Sequence, residues 1–125
     1  MMEPDLINVG LSESANDKLN YLKEQGYFAR KIDGYRFAVS LALAHGVIPP
    51  EFSKRVNYLN WGSLDPDQTF RLAIEALMPD QVAETTVYRL VERLADWGVN
   101  ELHAQAQRGD IDFEAIFEQL AQKAG

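Results

Sequence analysis

The chain has no cysteine, and that absence excludes a disulfide framework, a thiolate zinc site and a cysteine nucleophile, and fits a reducing compartment. Histidine is almost as scarce. His45 and His103 are the only two, and neither has a cysteine, a second histidine or a carboxylate at metal-ligand spacing on its own helix. Glu101 and His103 are neighbours in sequence but point apart on a helix. No serine sits in a G-x-S-x-G turn, no glycine-rich run precedes a lysine, and G-x-G-x-x-G is missing. Long apolar runs are lacking too: residues 37–44 form the longest strongly apolar stretch, far too short for a bilayer, and M-M-E-P-D-L-I-N-V-G has neither the basic start nor the apolar core of an export signal. These absences lead us to expect a cytoplasmic protein that is not an enzyme, with no catalytic residues, no metal, no cofactor and no membrane contact.

Positive charge is also in short supply. Twelve basic residues face nineteen acidic ones, a net charge of −7, and the imbalance is uneven. Residues 1–50 hold five Lys/Arg and six Asp/Glu, whereas residues 51–125 hold seven and thirteen. An acidic chain is repelled by phosphate at long range, so nucleic-acid binding would require a local basic patch.

What is present is helical periodicity. At 125 residues and 46% hydrophobic composition the chain can bury a real core. In L-I-N-V-G-L, residues 6–11, Ile7, Val9 and Leu11 alternate with Leu6, Asn8 and Gly10, the pattern of a short strand that needs a partner, which a second copy could supply. Ser12 or Ser14 can cap a helix whose Leu11, Ala15, Leu19 and Leu22 share one face and which ends at Gln25-Gly26. A second helix is expected from Asp33 to Gly46, apolar nearly all round in its second half, which calls for burial on more than one side. Pro49, Pro50, Gly62 and Pro66 mark a connector. Beyond it a helix carries Phe70, Leu72, Ala73, Ile74, Ala76 and Leu77. The next, capped near residues 84–86, places Val87, Leu90, Val91, Leu94 and Ala95 inside and Arg89, Glu92, Arg93 and Asp96 outside, and ends at Trp97-Gly98. A short helix over residues 99–107 follows. Asp112 then caps a terminal helix with Phe113, Ile116, Phe117 and Leu120 on its apolar face.

The fold expected is therefore mostly α, with a short N-terminal strand forming an intersubunit ribbon and about five to six helices after it. Residues 1–48 form the dimerisation unit, 49–66 the connector, and 67–125 an acidic helical extension packed on that unit. The paired carboxylates Asp65/Asp67, Asp110/Asp112 and Glu114/Glu118 fall at helix starts or on exposed faces, where capping and solvation explain them. Arg108-Gly109-Asp110 spells an adhesion tripeptide and reads as a turn. Tyr21, Tyr27, Phe28, Tyr35 and Phe37 cluster near Arg30, Lys31 and Arg36. Such interleaving can serve nucleic acid, and aromatics at helix junctions more often close a core.

The alternating I-N-V-G-L, the capped S-E-S-A-N-D-K-L start, the turn at Gly26 and the apolar second helix together make residues 6–46 resemble a ribbon-helix-helix unit of the Met- and Arc-repressor type. The segment R-F-A-V-S-L-A-L, residues 36–43, is also faintly similar to the small helical subunit of bacterial DNA phosphorothioation systems. The ribbon-helix-helix resemblance implies a homodimer whose paired strands enter the major groove. It implies that Leu6, Asn8 and Gly10 face DNA, with Asn8 the one base-reading side chain, and that Arg30, Lys31 and Arg36 lie near phosphate. It also implies a dimer interface of Ile7, Val9 and Leu11 on the ribbon and Phe37, Ala38, Leu41 and Ala42 on the second helix. Two functions follow. One is a DNA-binding transcriptional regulator or antitoxin-like protein. The other is an assembly subunit that keeps the dimer without binding DNA and meets a protein partner through its acidic C-terminal helices. A small enzyme with its site at a subunit interface ranks behind both.

Overall fold

The computed structural model describes residues 7–124. In chain order it contains β1 (Asn8–Leu11), α1 (Glu13–Glu24), α2 (Lys31–His45), β2 (Val56–Asn60), α3 (Trp61–Leu64), α4 (Thr69–Leu77), α5 (Pro79–Glu84), α6 (Val87–Gln107) and α7 (Phe113–Ala124). The fold is mostly helical with one short antiparallel pair of strands among the described residues, as its periodicity implies.

Local signals set several boundaries. The Ser12 hydroxyl accepts from the Ala15 N–H at 3.2 Å and starts α1, and Ala15, Leu19 and Leu22 then lie buried along one face. Gly46, at φ 68°, ends α2 in the left-handed conformation that glycine adopts without strain. Thr86 caps α6 through the Arg89 N–H, and Asp112 caps α7 through the Ala115 N–H. α2 begins at Lys31, two residues before its expected cap. Asp33 lies inside the first turn and pairs back to Arg30.

Three departures from expectation have physical causes. First, the strand partner comes from the same chain. β1 pairs with β2 in the register Asn8↔Asn60, Val9↔Leu59 and Leu11↔Val56, with an irregularity between Val9 and Leu11. The expected connector 49–66 thus contains a strand and α3. Its prolines and glycine flank β2, and five residues are too few to announce a strand against such neighbours. Second, the all-round apolarity of α2 is absorbed within the chain: Tyr35, Ala38, Val39, Leu41 and Ala42 are all buried, with α6 packed along the helix and α1 and α7 against its other sides. Third, α6 does not stop at Trp97-Gly98 but runs unbroken to Gln107, merging the two expected helices. Gly98 is a packing glycine. A Cβ at this position would overlap the Ala38 carbonyl oxygen and come within 2.6 Å of its carbon and 2.7 Å of its Cα, so its absence lets α2 and α6 approach backbone to backbone.

α7 closes the structure through aromatic contacts. The Phe113 ring lies 5.4 Å from Phe37 and 6.0 Å from Phe28, and Phe117 lies 5.8 Å from Phe37, all near edge-to-face. Of the aromatic residues clustered in the sequence, Tyr35 is in the core and Tyr27, Phe28 and Phe37 pack half-buried against it, while Phe117 on α7 remains 57% exposed. Leu6 and the side chain of Leu120 lie outside the described residues.

Candidate functional site

The residues expected to meet DNA sit on β1 and around the start of α2. Asn8 is exposed on β1. Gly10 is buried, its N–H donating to Glu92 Oε2 at 2.8 Å and its carbonyl accepting from the Tyr35 hydroxyl at 3.0 Å. Arg30 is engaged by Asp33 through Nε at 3.1 Å and Nη2 at 2.9 Å. Lys31 donates to Asn16 Oδ1 at 2.7 Å, and partial burial, with Lys23 adding to it, lowers its pKa. Arg36 reaches the carbonyls of Leu64 at 3.0 Å and Ser63 at 2.6 Å. All three cations are committed to partners within the fold.

The residues expected at a dimer interface are likewise placed inside one chain. Val9, Leu11, Ala38, Leu41 and Ala42 belong to its buried core, and Ile7 and Phe37 pack half-buried against that core. As the chain is folded, the surface they would offer a second copy is already covered by α1, α6 and α7.

Sequence reasoning missed the best-organised polar group. Glu92 was expected to face outward, yet it is 1% exposed. Its carboxylate accepts from Arg55 Nε at 2.9 Å, from Arg89 and from the Gly10 N–H, so each oxygen is satisfied. One turn further along α6, Asp96 accepts from the Ser12 N–H at 2.8 Å, and Asn100 accepts from Lys18 at 2.6 Å. These side chains of α6 fix the N-terminal strand and the start of α1. Burial, reinforced by the negative charge of Glu92 and Asp96, pushes the Tyr35 hydroxyl well above its ordinary value, so it stays protonated and donates to Gly10. A signal for Glu92 existed: it precedes Ala95 and Val99, both buried, by three and seven residues, which extends their stripe back to its position.

A second feature is apolar. Leu43, Val47, Ile48, Leu77 and Met78 line a groove of about 170 Å³ between the end of α2 and the α4–α5 junction. At its rim Ile48 is 59% and Leu77 65% exposed, and Asp80 and Glu84 stand exposed on the adjoining α5.

The histidines stay apart. His103 meets the Tyr21 ring edge-on at 5.4 Å, and burial together with Lys18 lowers its pKa, while His45 lies 5.3 Å from the Trp97 ring. Among the described residues no group of three or more His, Asp or Glu is placed to hold a metal ion, and no helix is long and apolar enough to cross a membrane.

Two carboxylates, half-buried Asp33 and exposed Asp110, report on their local contacts. Asp33 is held below the ordinary aspartate range chiefly by the Arg30 hydrogen bond, and Asp110 by the hydrogen bond from the Tyr27 hydroxyl at 2.7 Å. Because both folded values lie below the unfolded ones, their contribution to stability is complete above the unfolded pKa and is lost as pH falls through the folded range. In an NMR titration both should protonate below ordinary aspartates. Arg30→Gln should return Asp33, and Tyr27→Phe should return Asp110, to the ordinary range; unchanged midpoints would show that these contacts do not set them.

Comparison with protein-family models, with curated proteins and with solved structures finds no match to this chain.

Proposed function

We propose that the chain is a non-enzymatic assembly subunit that acts by docking on another protein. The observation that carries this reading is the apolar groove rimmed by exposed Ile48 and Leu77 beside the acidic residues of α5. Large apolar side chains clustered at a rim of charge are the composition of a protein-binding patch. The acidic surround favours a partner that presents an apolar ridge flanked by lysine or arginine, since a second copy of a chain with net charge −7 would bring like charges together. The internal commitment of Arg30, Lys31 and Arg36 supports docking over direct phosphate contact. The segment of residues 36–43 that resembles the small subunit of DNA phosphorothioation systems lies in α2. A subunit working within a larger DNA-processing assembly is the form in which that resemblance and the docking reading agree.

The test is a double variant, Ile48→Asp with Leu77→Asp. Both sites are more than half exposed, so stability should change by no more than about 0.5 kcal/mol per site. Recovery of the native partner by affinity purification from the host should be lost. Equal recovery of every partner by wild type and variant would refute the docking surface.

Direct DNA contact is the second reading, and the exposure of Asn8 on a two-stranded ribbon favours it. A mobility shift at low salt that disappears with Asn8→Ala would support it. No shift at low salt would end it.

A further inference from the structure

α4 is apolar on two sides, and only one of them is covered. Thr69, Arg71 and Glu75 are its only polar residues. Ile74 is buried and Phe70 packs half-buried on the core, so these two set its inner face. With about 100° of turn per residue, Ala76, Ala73 and Leu77 lie roughly 40°, 100° and 140° round from Leu72, a continuous apolar band on another side. Leu72 is 64% and Leu77 65% exposed, Ala76 is exposed and Ala73 is half-buried. A band of that width is what a helix turns toward a core. The comparable apolarity of α2 is taken up by α1, α6 and α7, whereas α4 packs mainly on α5 and α6.

The band runs into the groove beside Ile48, because Leu77 belongs to both. Ala73 and Ala76 make a low saddle between the two leucines, over which another backbone can pass closely. The groove, at about 170 Å³, has room for one large apolar side chain, being well under the roughly 300 Å³ at which small-molecule pockets begin. α4 and α5 bond their backbone groups internally. An extended chain laid on them would find no strand edge to pair with and would bury its own N–H and C=O groups unmatched, whereas a helix arrives with its backbone satisfied.

The surround is negative. Residues 69–84 hold Glu75, Asp80 and Glu84 against Arg71 alone, which Glu75 meets at 3.9 Å. Asp80 and Glu84 are exposed one turn apart on α5. Gly46 lines the groove and ends α2, so the negative end of that helix lies there as well.

Resting on the docking reading, we infer that this surface seats an amphipathic helix of another protein, basic along its flank. One large apolar residue of that helix fills the groove at Leu77, and the next, a turn along, lies across Ala73 and Ala76 against Leu72. Lysine or arginine meets Asp80 and Glu84. A second copy of this chain would bring the same carboxylates to the contact, and like charges would oppose it.

The experiment pans a displayed library of random peptides about 15 residues long, some four turns of helix, against the wild-type chain, with subtraction against Ile48→Asp/Leu77→Asp. Enriched peptides are synthesised and titrated by fluorescence anisotropy, and their helix content is followed by circular dichroism. The expected peptides carry apolar residues at i, i+4 and i+7 with lysine or arginine beside them, have no proline between, and gain helix on binding. Leu72→Asp should weaken binding more than about tenfold, and Asp80→Asn with Glu84→Gln about three- to tenfold, with a shallower salt dependence. Leu72, Asp80 and Glu84 are exposed, so these variants should stay folded. The helical occupant is overturned, with the docking surface left standing, if the surface-dependent peptides bind in extended form, lack basic residues, or bind Leu72→Asp as well as wild type. Self-association of the wild type that Leu72→Asp abolishes would overturn it in favour of a second copy. If no peptide distinguishes wild type from Ile48→Asp/Leu77→Asp, the docking reading itself fails.

Discussion

Gly98→Ala is expected to destabilise the protein by about 3 kcal/mol, at the upper end for overpacking. Helix propensity alone gives the opposite sign, since alanine in place of glycine in a helix interior gains about 0.5–1 kcal/mol. Packing decides here. The added Cβ would meet not a side-chain tip but the carbonyl oxygen, carbon and Cα of Ala38, in the buried middle of α2. Backbone cannot rotate aside, so α2 and α6 must separate along the contact that organises the core. Two measurements separate this cause from others. Urea denaturation should show the loss, and Ala38→Gly should fail to rescue it, because the overlap is with backbone that glycine retains. Stability at or above wild type would show that the helices are not packed as described.

The second large effect is expected at Glu92. Glu92→Ala should cost about 2–3 kcal/mol, the penalty of stranding a buried donor and losing hydrogen bonds to a charged group. The magnitude is moderated by the arginines. Arg55 and Arg89 are 28% and 38% exposed and can turn toward water, whereas the Gly10 N–H is buried and loses its side-chain acceptor. Hydrogen exchange locates the damage. The Gly10 amide should lose protection far more than the amides of the second half of α6, because it is β1 that Glu92 holds. Uniform loss across the fold, or no loss at Gly10, would contradict this role.

Much of the helical framework was legible in the chain because its signals are local. Ser12, Gly46, Thr86 and Asp112 act within one turn of their own positions. What escaped was set by distant partners. Gly98 looks like a stop until α2 is brought against it, and Glu92 looks like an outer residue until β1 and Arg55 arrive from far away in sequence. The strand at residues 8–11 was readable from its alternation, but its partner was not, since β2 is short and framed by loop-forming residues. The same holds for the candidate sites. Arg30, Lys31 and Arg36 share a basic neighbourhood in sequence, yet each finds a separate acceptor in space. Ile48 and Leu77 lie 29 positions apart and meet at one groove. Asp65 shows how a local signal can be right in kind and shifted in place: its side chain accepts from the N–H groups of Phe70 and Arg71 at 2.9 and 3.1 Å, although α4 starts only at Thr69.

The docking reading is tested most directly by a photo-crosslinking residue placed at position 77, with the same residue at position 108 as control, activated in the host cell. The expected result is one specific protein adduct from position 77, absent from position 108 and abolished by Ile48→Asp, with lysines or arginines flanking the crosslinked segment of the partner. No protein adduct from position 77, or the same adducts from both positions, would contradict it.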